Sequence, residues 1–371
     1  MHYLKEFVNF LSDPRITFTV LAGGLFFVFP PNDWFEKWNA RLKIPFLWTN
    51  KGAVTVFALM TLFFLIGLAD ENCSLILTKP DNVPIAGLAF LTYFFLWLAM
   101  KQAVENDAKL ASGMKPTEIH DPKDKVLVWP DLVYIEFISL ILCTAFLIVW
   151  SIYLPAPVEE PANLTLSPNP AKAPWYFLGL QELLVYFDPW IAGVILPTLV
   201  LGGIAAIPFI DNNEKGVGYY SYKQRRLAIS LFMFGWLILW VYLIFIGTFL
   251  RGPNWNFFGP FEAWDLHKLE ALTNVNLSEY IYMKGLNIGL PKNILLREMW
   301  GILFVGGYFA VMPPLLAKTW LKKMYAGLGP IRYSTFIVML LWAILIPIKM
   351  YLRWTFNLKY LVAIPEYFFN I

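Results

Sequence analysis

The stretch PNPAKAPWYFLGLQELLVYFDPWIAGVILPTLVLGGIAAIPFIDNN, residues 168–213, decides how this chain is built. A proline-broken lead-in delivers Pro174, Trp175, Tyr176 and Phe177 to the start of a short apolar helix. Pro174 suits the first helical position, where a missing N–H costs nothing. Asp188-Pro189 breaks that helix. A run of about twenty apolar residues follows, enough to cross a bilayer, and Asp211-Asn212-Asn213 closes it. The expectation is an amphipathic surface helix leading directly into a membrane span.

Composition extends this reading to the whole chain. Of 371 residues, 58% are hydrophobic and only 15% charged, too few to cover a water-soluble core of that size. The expected fold class is all-α: a polytopic membrane protein with about eight transmembrane helices plus the surface helix. The apolar runs fall at 16–30, 52–69, 84–100, 132–154, 191–210, 227–250, 299–317 and 334–352. The first is short, and Lys349 near the end of the last is placed to snorkel to the headgroups. A net charge of +3 gives no case for a nucleic-acid partner. Cys73 and Cys143 lie far apart, with no C-x-x-C and no C-x-x-C-H; Cys143, inside an apolar run, reads as a buried small hydrophobe. The first apolar run is followed by no small-residue cleavage site, so no signal peptide is expected.

Lysine and arginine set the expected orientation. Seventeen of the 29 fall in loops 31–51, 101–130, 211–226 and 318–333, which places those loops in the cytoplasm. Asp70-Glu71 and Glu159-Glu160 lie on the other side, and both termini face outward, as does the Trp175-Tyr176 helix.

Several of these segments resemble a known family. Trp175-Tyr176-Phe177 before a helix and a span is similar to the quinol-oxidising segment in the C-terminal half of cytochrome b, equivalent to subunit four of the plastid cytochrome bf complex. The family motif is Pro-Glu-Trp-Tyr; here Ala173 replaces its proline and Pro174 its glutamate. Trp129-Pro130-Asp131-Leu132 followed by Val133, Tyr134, Ile135 and Glu136 resembles the start of that subunit's first helix. Phe209-Ile210-Asp211-Asn212-Asn213 extends the likeness, which covers about 125–250, a third of the chain. The chain then divides into a three-span extension of unknown role at 1–124, a cytochrome b C-terminal-like domain at 125–250, and an outward loop with two further spans at 251–371. The extension reads as a packing or docking module. Loop 251–298, rich in turn formers and aromatics, reads as a cap on the membrane interface, with His267 a hydrogen-bonded loop residue.

The residues suggest where chemistry would lie. Quinol oxidation needs an apolar pocket at membrane depth with proton acceptors in reach. Glu182 is seven residues after Trp175, a rotation of roughly 700°, so the two share a face within about 20°. A carboxylate at membrane depth is costly and usually functional; alternatively the helix lies shallow and Glu182 meets water. Tyr176 is the second catalytic candidate by resemblance, or else an interfacial anchor. Trp175, Phe177, Pro174 and Asp131 are the candidate quinone-binding residues. Asp131 also suits a helix N-terminus. Glu136, near the inner end of its span, is a candidate to face an extra c-type haem or to relay protons, or else it snorkels. No metal site is expected.

The resemblance implies a membrane subunit of a quinol:cytochrome c oxidoreductase, completing outer quinol-oxidation and inner quinone-reduction sites. The three histidines, His2, His120 and His267, lie outside the apolar runs. A haem b pair would therefore belong to a separate cytochrome b N-terminal subunit. A Rieske iron–sulfur protein and a c-type cytochrome would be further partners in a dimeric complex in a bacterial energy-transducing membrane. By the same resemblance, Pro174 in place of the motif glutamate implies menaquinone as the quinone. The rival is a non-catalytic membrane scaffold that retains the fold. A transporter would show an internal repeat or paired broken helices, and neither is visible.

Overall fold

The structure is a computed structural model that describes residues 2–115, 126–154, 161, 163–165, 167–214, 221–268 and 274–371. His120 and Glu159-Glu160 lie outside the described residues. The chain is an all-α polytopic membrane protein. Its helices are α1 His2–Leu11, α2 Pro14–Val28, α3 Asp33–Arg41, α4 Asn50–Leu68, α5 Glu71–Leu77 and α6 Val83–Ala111. Then follow α7 Val128–Tyr153, α8 Trp175–Leu183, α9 Ile191–Ile210, α10 Tyr222–Leu250, α11 Met299–Lys318 and α12 Lys322–Phe356. Among the described residues, the helical elements between α10 and α11 are short turns, such as Leu277–Glu279 and Ile294–Arg297. A two-residue-strand hairpin, Ala363–Ile364 with Phe369–Asn370, ends the chain.

Among the described residues, seven helices are long and apolar enough to cross a bilayer. The expected eighth span, at 16–30, is a special case. α2 alone has 15 residues, and it joins α1 at a 65° bend, so the count reaches eight only if this pair makes one span. Asp13-Pro14 explains the bend: Asp13 caps the new helix by accepting from Arg15 N, and Pro14 occupies its first turn.

Side-chain contacts nevertheless carry α2 along α10 in antiparallel register. The Thr17 and Tyr242 hydroxyls bond near one end, the Phe26 and Phe234 rings stack at 5.9 Å midway, and Ser230 Oγ donates to Phe29 O at 2.8 Å near the other. The bundle thus has two polar ends. At one, Ser221 Oγ donates to Asp107 at 2.6 Å, and Arg226 reaches Asp33 and Glu36 at 2.6 and 2.9 Å. Arg225 pairs there with Asp211. At the other lie the N-terminus, 167–190, 251–268 and the C-terminal tail: Phe261 N donates to Asn9 there, and Asn370 to Asp188.

One apolar core draws on all three sequence segments. It holds Phe18, Phe29 and Trp48 from the extension, Tyr186, Phe187 and Ile191 from the middle, and Leu345 and Met350 from α12. Elsewhere the spans turn long apolar faces outward, which suits hydrocarbon rather than water. α7 is the extreme case, with no buried residue. Cys143 is accordingly exposed rather than buried, because nothing in the described chain covers its helix; Cys73 is the buried cysteine. Lys349 also departs from expectation. It does not snorkel but is fully buried, donating to Lys359 O between the rings of Phe187 and Tyr360 at 5.6 and 5.7 Å. The tail after α12 folds back over the ammonium and closes its way to solvent.

Candidate functional site

The site builds up from α8. Pro174 is its N-cap and Trp175 its first residue, one position later than expected. The Gln181 side chain fastens the lead-in, accepting from Ala173 N at 2.7 Å and donating to Ala171 O at 2.8 Å. Lys172 Nζ donates to Thr248 O at 2.8 Å and lies 5.0 Å from the centre of the Trp264 ring. These bonds tie the lead-in to the end of α10.

Two glycines let α8 settle closely on α10. A Cβ on Gly179 would already touch the Ile244 side chain at 3.4 Å; one on Gly247 would lie 2.8 Å from Leu178 Cγ, closer than carbon atoms pack. Here α10 winds as two wide π-type stretches, Phe234–Val241 and Ile246–Leu250. Such widened turns recur at functional positions because they re-aim side chains. The buried face of α8 is Leu178, Gly179, Glu182 and Leu183. Tyr176 and Phe177 point away and are half exposed, at 50% and 53%; Trp175 is 38% exposed. Their rings follow one another at 5.7 and 4.8 Å between centroids.

Glu182 sits at the bottom of this arrangement, fully buried. Arg251 meets both its oxygens, Nε to Oε2 at 3.0 Å and Nη2 to Oε1 at 2.7 Å. Tyr186 Oη donates to the same Oε1 at 2.8 Å and accepts from Trp354 Nε1 at 3.1 Å. The third arm of Arg251 donates to Trp255 O at 2.7 Å, and its guanidinium lies 3.7 Å from the Phe257 ring centre. This is a forked, charge-assisted pair in a dry setting. Burial pushes the Tyr186 hydroxyl well above its ordinary range, and the Glu182 charge pushes it the same way.

The remaining candidates lie elsewhere. Asp131 accepts from Leu127 N at 3.2 Å, a local bond at the start of α7. Glu136 is exposed in the first regular turn of that helix. His267 is exposed, its backbone N–H held by Asp265 at 2.8 Å. Asp131 and Glu136 therefore share α7, while Trp175, Tyr176, Phe177 and Glu182 share α8. No family model matches the chain, and no solved structure does. The chemistry of the site rests on its geometry.

Sequence reasoning did not find Arg251, Tyr186, Trp354 or Lys172. Arg251 offered a faint signal, a charge immediately after a long apolar run, but its partner lies 69 residues earlier. Tyr186 is four residues after Glu182, a spacing that puts both on one helical face.

Lys172 supplies a pH-dependent property. Burial pushes its ammonium down to about 7 from 10.5; nearby Lys79 adds to this and Glu182 opposes it. Below about 7 both folded and unfolded chains hold the proton, and the cost of burying it is fully present. Between about 7 and 10.5 the unfolded chain binds more protons, so stability rises with pH through that window. Thermal unfolding in detergent should show this rise. Lys172→Met should make the rise smaller; an equal slope in the variant would contradict the assignment.

Proposed function

We propose that this chain is a membrane subunit of a bacterial quinol:cytochrome c oxidoreductase, resembling the C-terminal half of cytochrome b. Trp175, Tyr176 and Phe177, on the lead from Pro174, form its half of an outer quinol site. Asp131 and Glu136 form its half of an inner quinone site, where Glu136 meets a partner's haem or relays protons. The haem b pair, the Rieske cluster and the c-type cytochrome reside on partner chains. Both termini face outward across the cytoplasmic membrane, and menaquinol is the substrate that Pro174 favours.

One observation carries this reading. A helix clamped at its start and along one face turns the Tyr176 and Phe177 rings outward and leaves Trp175, at its first position, partly uncovered beside them. Rings held rigid and uncovered make half of a pocket, and they gain their complement from a second chain or a flat aromatic ligand. The Tyr176 hydroxyl adds a hydrogen-bonding group among them. Uncovered α7 supports the same picture, since a partner subunit has a whole helix to pack against. A quinol bound there would supply two electrons and two protons. What this chain contributes is a fixed apolar wall and the phenol.

Glu182 takes a different part in this reading. Its oxygens are engaged by Arg251 and Tyr186, so it positions α8 rather than meeting quinol. That same closed pair favours the second reading, a scaffold subunit without turnover. A photoreactive quinone analogue distinguishes the two. In the intact complex it should label the 174–177 segment and be displaced by excess quinol. Labelling confined to partner subunits would sink the proposal.

A further inference from the structure

Two cavities of about 620 Å³ each lie side by side with wall residues in common, and neither is lined by α8's aromatic rings. Ser12 and Leu250 belong to the walls of both. The cavities differ in chemistry. The first is polar, with Arg15, Arg251, Lys268 and Arg353 in its wall against Asp13 and Glu262. The second lies at membrane depth between α2, α10 and the α4–α6 segment, walled by groups such as Gly24, Leu25, Phe64 and Phe245. Both volumes fall within the roughly 300–1,000 Å³ typical of ligand pockets.

The charges in the polar cavity do not cancel evenly. Asp13 pairs with Arg15 at 2.6 Å, Glu262 with Lys268 at 2.9 Å, and Glu182 holds Arg251. Arg353 is only 7% exposed, and among the described residues its guanidinium donates to two neutral acceptors, Asn274 Oδ1 at 2.7 Å and Asn357 O at 3.2 Å. A buried guanidinium facing a cavity calls for an anion, because burying a charge without a counter-charge is expensive. The adjoining apolar chamber calls for hydrocarbon, since water gains no hydrogen bonds there.

We propose that the two cavities form one site for an anionic phospholipid, with its phosphate beside Arg353 and an acyl chain in the apolar chamber. A free phosphate would leave the apolar chamber unexplained. A quinone, whose head is neutral, would leave the guanidinium unexplained. The bilayer supplies such a lipid sideways at the required depth. The lipid would bridge α2 to α10, giving the extension a physical role that stands apart from any quinol chemistry.

The test uses the intact chain in its native complex, washed in detergent and offered phosphatidylglycerol or phosphatidylcholine. Native mass spectrometry counts retained lipid, and thermal unfolding reads the stabilisation. Phosphatidylglycerol should be retained at about one per chain and preferred at least about tenfold. Gly24→Phe points a ring into the chamber from a position where a Cβ meets nothing within 4 Å, so the fold should tolerate it. It should abolish retention of both lipids. Arg353→Gln should remove the preference while keeping some retention, and Arg353→Lys, which keeps the charge without the fork, should fall between. Equal retention of both lipids by the wild type would overturn the proposal. So would quinone recovered in place of phospholipid, stabilisation matched by inorganic phosphate, or a Gly24→Phe chain that retains lipid normally.

Discussion

Glu182→Gln should destabilise the full chain by about 3–5 kcal/mol, the usual consequence of leaving one partner of a buried pair alone. Glutamine keeps the shape but leaves the Arg251 charge uncompensated in a site where Glu182 is fully buried and Arg251 is 5% exposed. Arg251→Met should cost a similar amount, because among the described residues the carboxylate then keeps a hydrogen bond from Tyr186 alone. The combined variant, Glu182→Met with Arg251→Met, should recover much of the loss, since well-packed apolar replacements of a buried pair are often neutral. Recovery would be incomplete if the Arg251 bond to Trp255 O also holds the loop. Thermal or denaturant unfolding of the wild type, Glu182→Met, Arg251→Met and the combined variant gives the coupling directly. Strictly additive losses would show that the pair is not a unit. A Glu182→Gln complex of full stability, with quinol oxidation at least about tenfold slower and an altered pH profile, would instead make Glu182 the proton acceptor.

The second large effect concerns the outward rings. Trp175→Ala with Tyr176→Phe should lower quinol oxidation by the assembled complex by roughly 10²-fold, within the 10²–10⁴ range seen when a positioned proton-transfer group is lost. Stability should barely change, because both side chains are substantially exposed and surface changes usually stay within about 0.5 kcal/mol. That contrast would separate the buried Glu182 from the uncovered rings: the first change should move stability, the second turnover. Normal turnover in this variant, with haem content intact, would leave the rings as interfacial anchors.

The spans were legible because their signal is local. Runs such as 191–210 are apolar throughout, and their ends are marked by Asp188-Pro189 and Asp211-Asn212-Asn213. α2 was harder: at 15 residues it falls below the usual length, and its membership of the bundle depends on contacts with α10 more than two hundred residues away. The site was half legible. Helical spacing put Glu182 and Trp175 on one side of α8; Glu182 is fully buried there, while Trp175, at the helix start, is left 38% exposed. Spacing could not reveal that Arg251 would close over the carboxylate, since such a pair is made by tertiary packing alone. Lys349 went astray for a related reason. Snorkelling assumes an open route to the headgroups, and the returning tail removes it. Cys143 erred in the opposite direction, because an apolar run says that a residue avoids water, not that protein covers it.

The central claim is that this chain completes quinone sites whose haems belong to partners. The most direct measurement is a reduced-minus-oxidised spectrum of the natively purified complex, together with its subunit composition. The expected result is b-type haem in fixed proportion to this chain, carried by a separate polypeptide and reducible by quinol. A pure, intact complex with no b-type haem, or a bis-histidine haem spectrum from this polypeptide alone, would contradict it.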